Sequence, residues 1–142
     1  MKQFDLSGTN LRGADLSGAD LRMANLIGAN LSGAYLREAD LSEAYLVGAN
    51  LNEAVLNGAN LIGANLNDVD LIKADLIGAN LNDVDLIGAE CSRMNIRSAQ
   101  LQSADLSTAV NLTQGQVDMA LGDSQTKLPD GMRRPTHWWD HD

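Results

Sequence analysis

The stretch 11–35 reads LRGAD LSGAD LRMAN LIGAN LSGAY, which is one five-residue unit written five times. The same phase extends in both directions. Every fifth residue from Leu6 to Leu106 is Leu, except for Cys91 and Ile96 among 21 positions. The residue two places before each of these positions is Ala in most units. Because no insertion or deletion breaks the phase, one pattern decides the fold of roughly three quarters of the chain.

A five-residue period fits neither a long helix nor a long strand. A helix needs apolar residues three and four apart, and a strand needs strict alternation. On a helix, each step of five residues would advance about 500°, so the Leu row would spiral around the surface. Short extended segments joined by turns fit the period, because each unit then buries its Leu against neighbouring units. Ala lies two residues before Leu and points to the same side. We therefore predict a solenoid with Leu and Ala inside.

The units match the consensus A(D/N)LXX, and on these residues the chain resembles the pentapeptide-repeat family. The resemblance implies an all-β solenoid, a right-handed quadrilateral β-helix with four units per coil. About five coils are expected, with residues 20 apart stacked on one another. Members of the family range from DNA mimics that protect topoisomerases to proteins with no known activity, so the resemblance indicates the fold more firmly than the function.

The chain changes character after the repeats, which predicts a β-helix over 1–110 and a C-terminal cap over 111–142. Thr113 and Gln116 fit a capping box, and Gly122 fits a helix stop, so we expect a short helix at about 114–121. The segment Leu128-Pro129-Asp130-Gly131 predicts a turn with Pro in its second position, followed by an extended tail. The cap also resembles a tail found on a subset of bacterial pentapeptide-repeat proteins.

Aromatic residues lie at both ends of the chain. Phe4 occupies a site that holds Ala in later units, and we expect it to plug the open end of the core. Trp138 and Trp139 are expected to seal the other end or to lie in a dimer contact. His137 and His141 are spaced for metal binding on a helix and have Asp140 and Asp142 nearby. No third ligand stands at a defined distance, so we predict no metal site.

Some outward positions carry an apolar or aromatic residue instead of a polar one, and these positions are candidates for a binding surface. Tyr35, Tyr45 and Val55 stand where Asp or Asn normally precedes Leu, and Ile27 and Val47 follow a Leu. With 20 residues per coil, Ile27 and Val47 stack on one face beside Tyr45, and Tyr35 and Val55 stack on the opposite face. Two interpretations remain open: exposed strand positions that favour such residues, or a contact patch for a protein partner or a second copy. These five are the candidate partner-binding residues.

The net charge is −9, and residues 38–90 hold ten acidic side chains and one basic side chain. One interpretation is a solvated surface whose Asp residues bond the backbone at turns. The other is a rod of about duplex width that mimics DNA. Direct binding to nucleic acid is not expected, since it requires a basic stripe.

The signals of an enzyme are missing from the sequence. No phosphate-binding Gly motif with Lys occurs, the shaft contains no His, and Cys91 sits at a Leu site as a small buried hydrophobe. We therefore predict a non-catalytic protein without cofactor or small-molecule substrate. No apolar run reaches membrane length and no leader is seen, which predicts a cytoplasmic protein. The predicted function is a rigid interaction or scaffold module. The alternative is a DNA-mimicking regulator or protector of a type II topoisomerase such as gyrase.

Overall fold

The computed structural model describes residues 4–141, without the side chains of residues 140 and 141. Its main body is a four-sided β-helix in which residues 20 apart pair as single parallel bridges, from Asp5↔Asn25 to Glu90↔Val110. The predicted solenoid of about five coils is confirmed. We number its sides by their bridge residues: side 1 (5, 25, 45, 65, 85, 105), side 2 (10, 30, 50, 70, 90, 110), side 3 (15, 35, 55, 75, 95) and side 4 (20, 40, 60, 80, 100).

Each unit is held by one turn bond and by bonds to the next coil. Ala39 N–H donates to Leu36 O (3.0 Å) within its unit, and Leu36 N–H donates to Val55 O (2.7 Å) in the following coil. The second residue after Leu has positive φ in most units, 64° at Gly33 and 57° at Glu43. Gly is common there because it adopts this conformation without steric cost.

The core is a stack of Leu and Ala columns that are almost fully buried from Leu21 to Leu106. Between Leu21 and Leu106 the buried side chains of the shaft are aliphatic or sulfur-containing, and none is aromatic. In the first coil Leu6, Leu11 and Leu16 are only partly buried. Phe4 is 59% exposed, so the expectation that it plugs this end is wrong. With a neighbouring coil on one side only, its inner site does not enclose the ring.

The cap begins with helix α1, Gln114–Asp118, and its capping box is present as predicted. The helix ends at Asp118 instead of Leu121, because Leu121 takes up strand pairing. Leu121 N–H donates to Ala99 O (2.9 Å), and Leu121 bridges Gln100. Lys127 bridges Asp105 in the same way. The cap therefore continues sides 4 and 1 of the shaft by one further bridge each.

The remainder of the cap folds back over the end of the core. Met132 N–H donates to Pro129 O (3.2 Å), so the turn lies one residue later than predicted, with Gly131 in its third position at φ 82°. A 3₁₀ helix, Thr136–His141, follows. Trp138 is fully buried and seals the core as expected, whereas Trp139 is 53% exposed. Neither helix within 4–141 is long and apolar enough to cross a membrane.

Candidate interaction surface

Most Asn and Asp residues at bridge positions bond their own turn. Asn60 Oδ1 accepts from Ile62 N–H (3.1 Å), and Asp70 Oδ1 accepts from Ile72 N–H (2.9 Å). The same bond recurs along all four sides. The parallel bridges leave the N–H of the residue after Leu without a backbone acceptor. A short side chain with an oxygen, two residues earlier, accepts from this N–H. The preference for Asn and Asp is therefore explained by local structure before any partner is considered.

Several of these carboxylates have lowered pKa values because they accept hydrogen bonds. The side chain of Arg22, followed by its backbone N–H, lowers the pKa of Asp20 to about 2, with Nη2 at 2.7 Å from Oδ2. Ser107 lowers the pKa of Asp105 through its hydroxyl and then its N–H. Ser92, and to a smaller extent Asn111, lower the pKa of Glu90. These side chains are held at the surface of the shaft.

Side 1 brings together three of the predicted patch residues. Ile27 and Val47 lie in the same column in adjacent coils, linked by Gly28 N–H donating to Val47 O (3.0 Å). Tyr45 is the bridge residue of the same side and precedes Val47 by two positions. Ile27 is 44% exposed and Tyr45 is 45% exposed, while Val47 is half-buried. We call Ile27, Tyr45 and Val47 the side 1 patch.

Side 3 carries the other two predicted residues. Tyr35 bridges Val55 directly, and Tyr35 is 50% exposed. Sides 1 and 3 face away from each other on a four-sided shaft. The five candidates therefore form two separate surfaces, as the 20-residue coil predicted.

Ile87 is a further exposed apolar residue that was not among the predicted patch residues. Ile87 is 41% exposed and lies in the column of Ile27 and Val47. Asn67 separates it from Val47, and Asn67 Oδ1 accepts from Ile87 N–H (3.1 Å). The 20-residue spacing of 27, 47, 67 and 87 was the signal that identifies this column. Met119 and Trp139 are also exposed, but they lie outside the repeat and no period points to them.

The reactive residues of the chain are engaged in structural contacts. Cys91 is fully buried, and this burial, with a smaller effect from the charge of Glu90, raises the pKa of its thiol to about 12. His137 Nε2 lies 2.8 Å from Ala120 O. Among the residues that the structure describes, no group of three side chains could hold a metal ion. The side chains of Asp140, His141 and Asp142 lie outside the described residues.

A family model that describes eight copies of the pentapeptide repeat matches residues 5–42, 34–71 and 74–114. With this match and the four-sided shaft, the chain belongs to the pentapeptide-repeat family. Its fold is that family's right-handed quadrilateral β-helix. The family is one of structural repeats, and the comparisons indicate no enzymatic family.

The chain is similar to several solved structures. HetL, a pentapeptide-repeat protein involved in heterocyst differentiation regulation in the cyanobacterium Nostoc sp. strain PCC 7120, is 38% identical over 87% of this chain, with a TM-score of 0.73. The match covers 53% of HetL, so the chain spans about half the length of that relative. A pentapeptide-repeat protein from the Arabidopsis thaliana thylakoid lumen is 31% identical over 84% of this chain and 78% of its own, with a TM-score of 0.40. QnrB1, a plasmid-mediated fluoroquinolone resistance protein, is 21% identical over 94% and 80% of the two chains, with a TM-score of 0.35. No functionally curated protein matches the chain.

Proposed function

We propose that the chain is a non-catalytic interaction module that contacts a protein partner or a second copy through the side 1 patch. The observation that carries this proposal is the loss of a turn bond at Tyr45. Where Asn65 bonds the N–H two residues on at 3.0 Å, the ring of Tyr45 has no acceptor near Val47 N–H. A hydrogen bond of this kind contributes about 0.5–1.5 kcal/mol to stability. Burial does not compensate for the lost hydrogen bond, since Tyr45 is 45% exposed.

The shaft makes this patch rigid. Neighbouring coils are spaced by about 4.8 Å, the distance between paired strands. Ile27 and Val47 are fixed at this spacing by backbone bonds. Ile87 lies in the same column three coils beyond Ile27, with the polar Asn67 between it and Val47. A rigid surface loses little conformational entropy on binding, which favours association by small apolar contacts.

Paired charge substitutions test the patch. Tyr45→Lys with Val47→Lys should abolish self-association or partner capture, because two charges would enter an apolar contact. Tyr35→Lys with Val55→Lys is the matched control, since it makes the same change at side 3. Self-association is measured by sedimentation velocity, and partner capture by pull-down from bacterial lysate. Both variants should keep the β circular dichroism spectrum, because the changed side chains lie outside the core.

The outcome separates the two surfaces. Loss of association in the side 1 variant alone supports the proposal. Loss in the side 3 variant alone moves the contact to Tyr35 and Val55. Equal loss in both, or association unchanged in both, contradicts a localised apolar patch.

The second candidate function is regulation or protection of a type II topoisomerase by mimicry of DNA. It is favoured by one observation: residues 38–90 alone carry a net charge of −9, which equals the net charge of the whole chain. The acids lie on all four sides, as Asp40, Asp70, Asp75 and Asp85 show. Acidic residues on all four sides fit a rod-like mimic of DNA better than they fit a single flat binding patch.

Salt dependence distinguishes the two functions. If the chain mimics DNA, it should alter supercoiling by purified gyrase at low ionic strength, and the effect should disappear at high salt. Glu38→Gln, Glu43→Gln and Asp83→Asn together should weaken the effect, since they remove three exposed charges. No effect on supercoiling at low salt would exclude mimicry of the gyrase substrate. Capture that resists salt and requires Tyr45 would support the side 1 patch.

A further inference from the structure

The regular stacking of the shaft stops on side 3 one coil earlier than on the other sides. Asn95 is the last bridge residue of side 3, whereas Glu90, Gln100 and Asp105 each pair with a residue of the next turn of chain. The chain leaves the coil after Val110 and forms helix α1 where the next side 3 strand would lie. A groove of about 430 Å³ remains between α1 and residues 93–97.

This interruption leaves two backbone donors without acceptors. One coil lower, Lys73 N–H donates to Ser92 O (2.9 Å) and Leu76 N–H donates to Asn95 O (2.8 Å). The equivalent N–H groups of Arg93 and Ile96 have no acceptor among the groups that the structure describes. Ile96 is only 1% exposed. Buried backbone N–H groups are paired in nearly all native structures, so the N–H of Ile96 requires an acceptor from outside the chain, either water or a ligand.

The groove combines an apolar lining with positive charge. Met94 and Ile96 line it from the shaft, and Met119 lines it from the cap with 46% of its surface exposed. Arg93 and Arg97 also line it, and neither forms an ion pair with a described residue. These are free cations in a chain whose net charge is −9.

One further polar side chain in the groove is already occupied. Gln116 Nε2 donates to Cys91 O (2.8 Å) and to Met94 O (2.9 Å), and Gln116 Oε1 accepts from Thr113 N–H (2.8 Å). Its amide therefore holds α1 against the shaft. The groups left for a ligand are the two backbone donors, the two guanidinium groups and the apolar lining.

We propose that this groove binds a carboxylate attached to an apolar group. A carboxylate oxygen can accept from one of the free N–H groups of Arg93 and Ile96, and the negative charge is neutralised by the guanidinium of Arg97. The apolar part lies against Met94 and Met119. Inorganic anions lack the apolar part, and neutral apolar compounds lack the charge. Two sources carry this chemistry: a free aliphatic acid, and the C-terminal residue of a peptide that ends in an apolar side chain.

Titration with defined probes tests the site. Octanoate, acetyl-Ala-Leu with a free carboxylate, acetyl-Ala-Leu amide, octanol and inorganic phosphate are each added to the ¹⁵N-labelled full chain. We expect at least one of the two carboxylates to bind and to shift the Ile96 amide resonance. Octanol, the amide and phosphate should not shift it. Affinity is measured in parallel by calorimetry.

Two arginine variants test whether the guanidinium of Arg97 binds the carboxylate. Arg97→Gln should weaken carboxylate binding about tenfold or more, as expected for loss of a charged hydrogen-bond partner. Arg37→Gln is the control, because Arg37 occupies the same column of side 3 three coils lower and should change the affinity less than about twofold. Both residues are exposed, so both variants are expected to fold.

Each result decides the proposal. Tighter binding of octanoate identifies a free acid as the source, and tighter binding of acetyl-Ala-Leu identifies a peptide C-terminus. The proposal is overturned if neither carboxylate binds at millimolar concentration, or if octanol or phosphate binds as well. It is also overturned if Arg97→Gln and Arg37→Gln have equal effects. The side 1 patch lies elsewhere on the shaft, so these outcomes do not depend on its function.

Discussion

Replacing Gly122 by Ala should destabilise the cap through contact with a single ring. An added Cβ would lie 2.6 Å from Trp138 Cε3 and Cζ3 and 2.8 Å from Cδ2. Favourable carbon contacts lie at about 3.5–4.0 Å, so the overlap is about 1 Å against three atoms. Trp138 is fully buried, and its Nε1 is held by Ala120 O (2.8 Å), so the ring cannot move freely. We expect a loss of about 1–3 kcal/mol, the usual cost of overpacking.

A double-mutant cycle isolates this contact. Trp138→Ala should cost about 3–5 kcal/mol by itself, because it empties a buried aromatic site. In that background Gly122→Ala should be neutral or should stabilise by about 0.4–1 kcal/mol. The reason is that Gly122 does not have positive φ, so Ala is allowed there and restricts the unfolded chain. The two changes should therefore couple by at least about 1 kcal/mol.

The free energy of unfolding of the wild type, the two single variants and the double variant is measured by urea unfolding. The unfolding is followed by far-ultraviolet circular dichroism, because this signal does not depend on the substituted Trp. Gly115→Ala is the control within the same cap. It lies in α1, and the nearest atom to its new Cβ is Thr113 Oγ1 at 3.9 Å, so it should stabilise by about 0.5–1 kcal/mol. The reasoning is refuted if Gly122→Ala costs less than about 0.5 kcal/mol, or costs the same with and without Trp138.

Three further predictions follow from local contacts. The pKa of Asp20 is lowered to about 2 in the folded state from the usual 3.8, so its contribution to stability should be complete above pH 4 and should be lost as the pH falls towards 2. Arg22→Gln should reduce that dependence in acid titrations of the urea midpoint. Because the Cys91 thiol is buried with a pKa of about 12, it should not react with an aromatic disulfide reagent at pH 8 until the protein is unfolded, when one equivalent should react. Asn60→Ala should cost about 0.5–1.5 kcal/mol, because Ile62 N–H loses its acceptor at 3.1 Å, and Asn60→Asp should cost less.

The repeat region was predictable because its contacts are periodic. Each Leu of the shaft meets residues 20 positions away, and the five-residue phase is sufficient to assign it to the interior. With the 20-residue coil that the family resemblance implies, Ile27 was placed next to Val47 and Tyr35 next to Val55 without coordinates. Ile87 was not predicted, because the polar Asn67 lies between it and Val47 in the column.

The side chains at the ends were harder to predict, because a repeat does not describe its own termination. Phe4 occupies a core position of the pattern and is nevertheless 59% exposed. Gly122 carries a common helix-stop signal, but the helix ends earlier, and the absence of a side chain at Gly122 makes room for Trp138. Local signals were correct for the capping box, where Thr113 and Gln116 are three residues apart and need no other partner.

The direction of each side chain in the shaft and the acidic middle of the chain follow from the amino-acid order, because each unit repeats one local conformation. The number of sides followed from the resemblance to the pentapeptide-repeat family. The register of the cap, the burial of Trp138 and the groove beside α1 depend on how the last segment folds back on the final coil. Leu121 can serve as a helical residue or as a strand residue, and the free backbone groups of Ala99 and Leu101 select the strand. Those acceptors and donors come from a part of the chain about 20 residues away, so only the folded molecule brings them to Leu121.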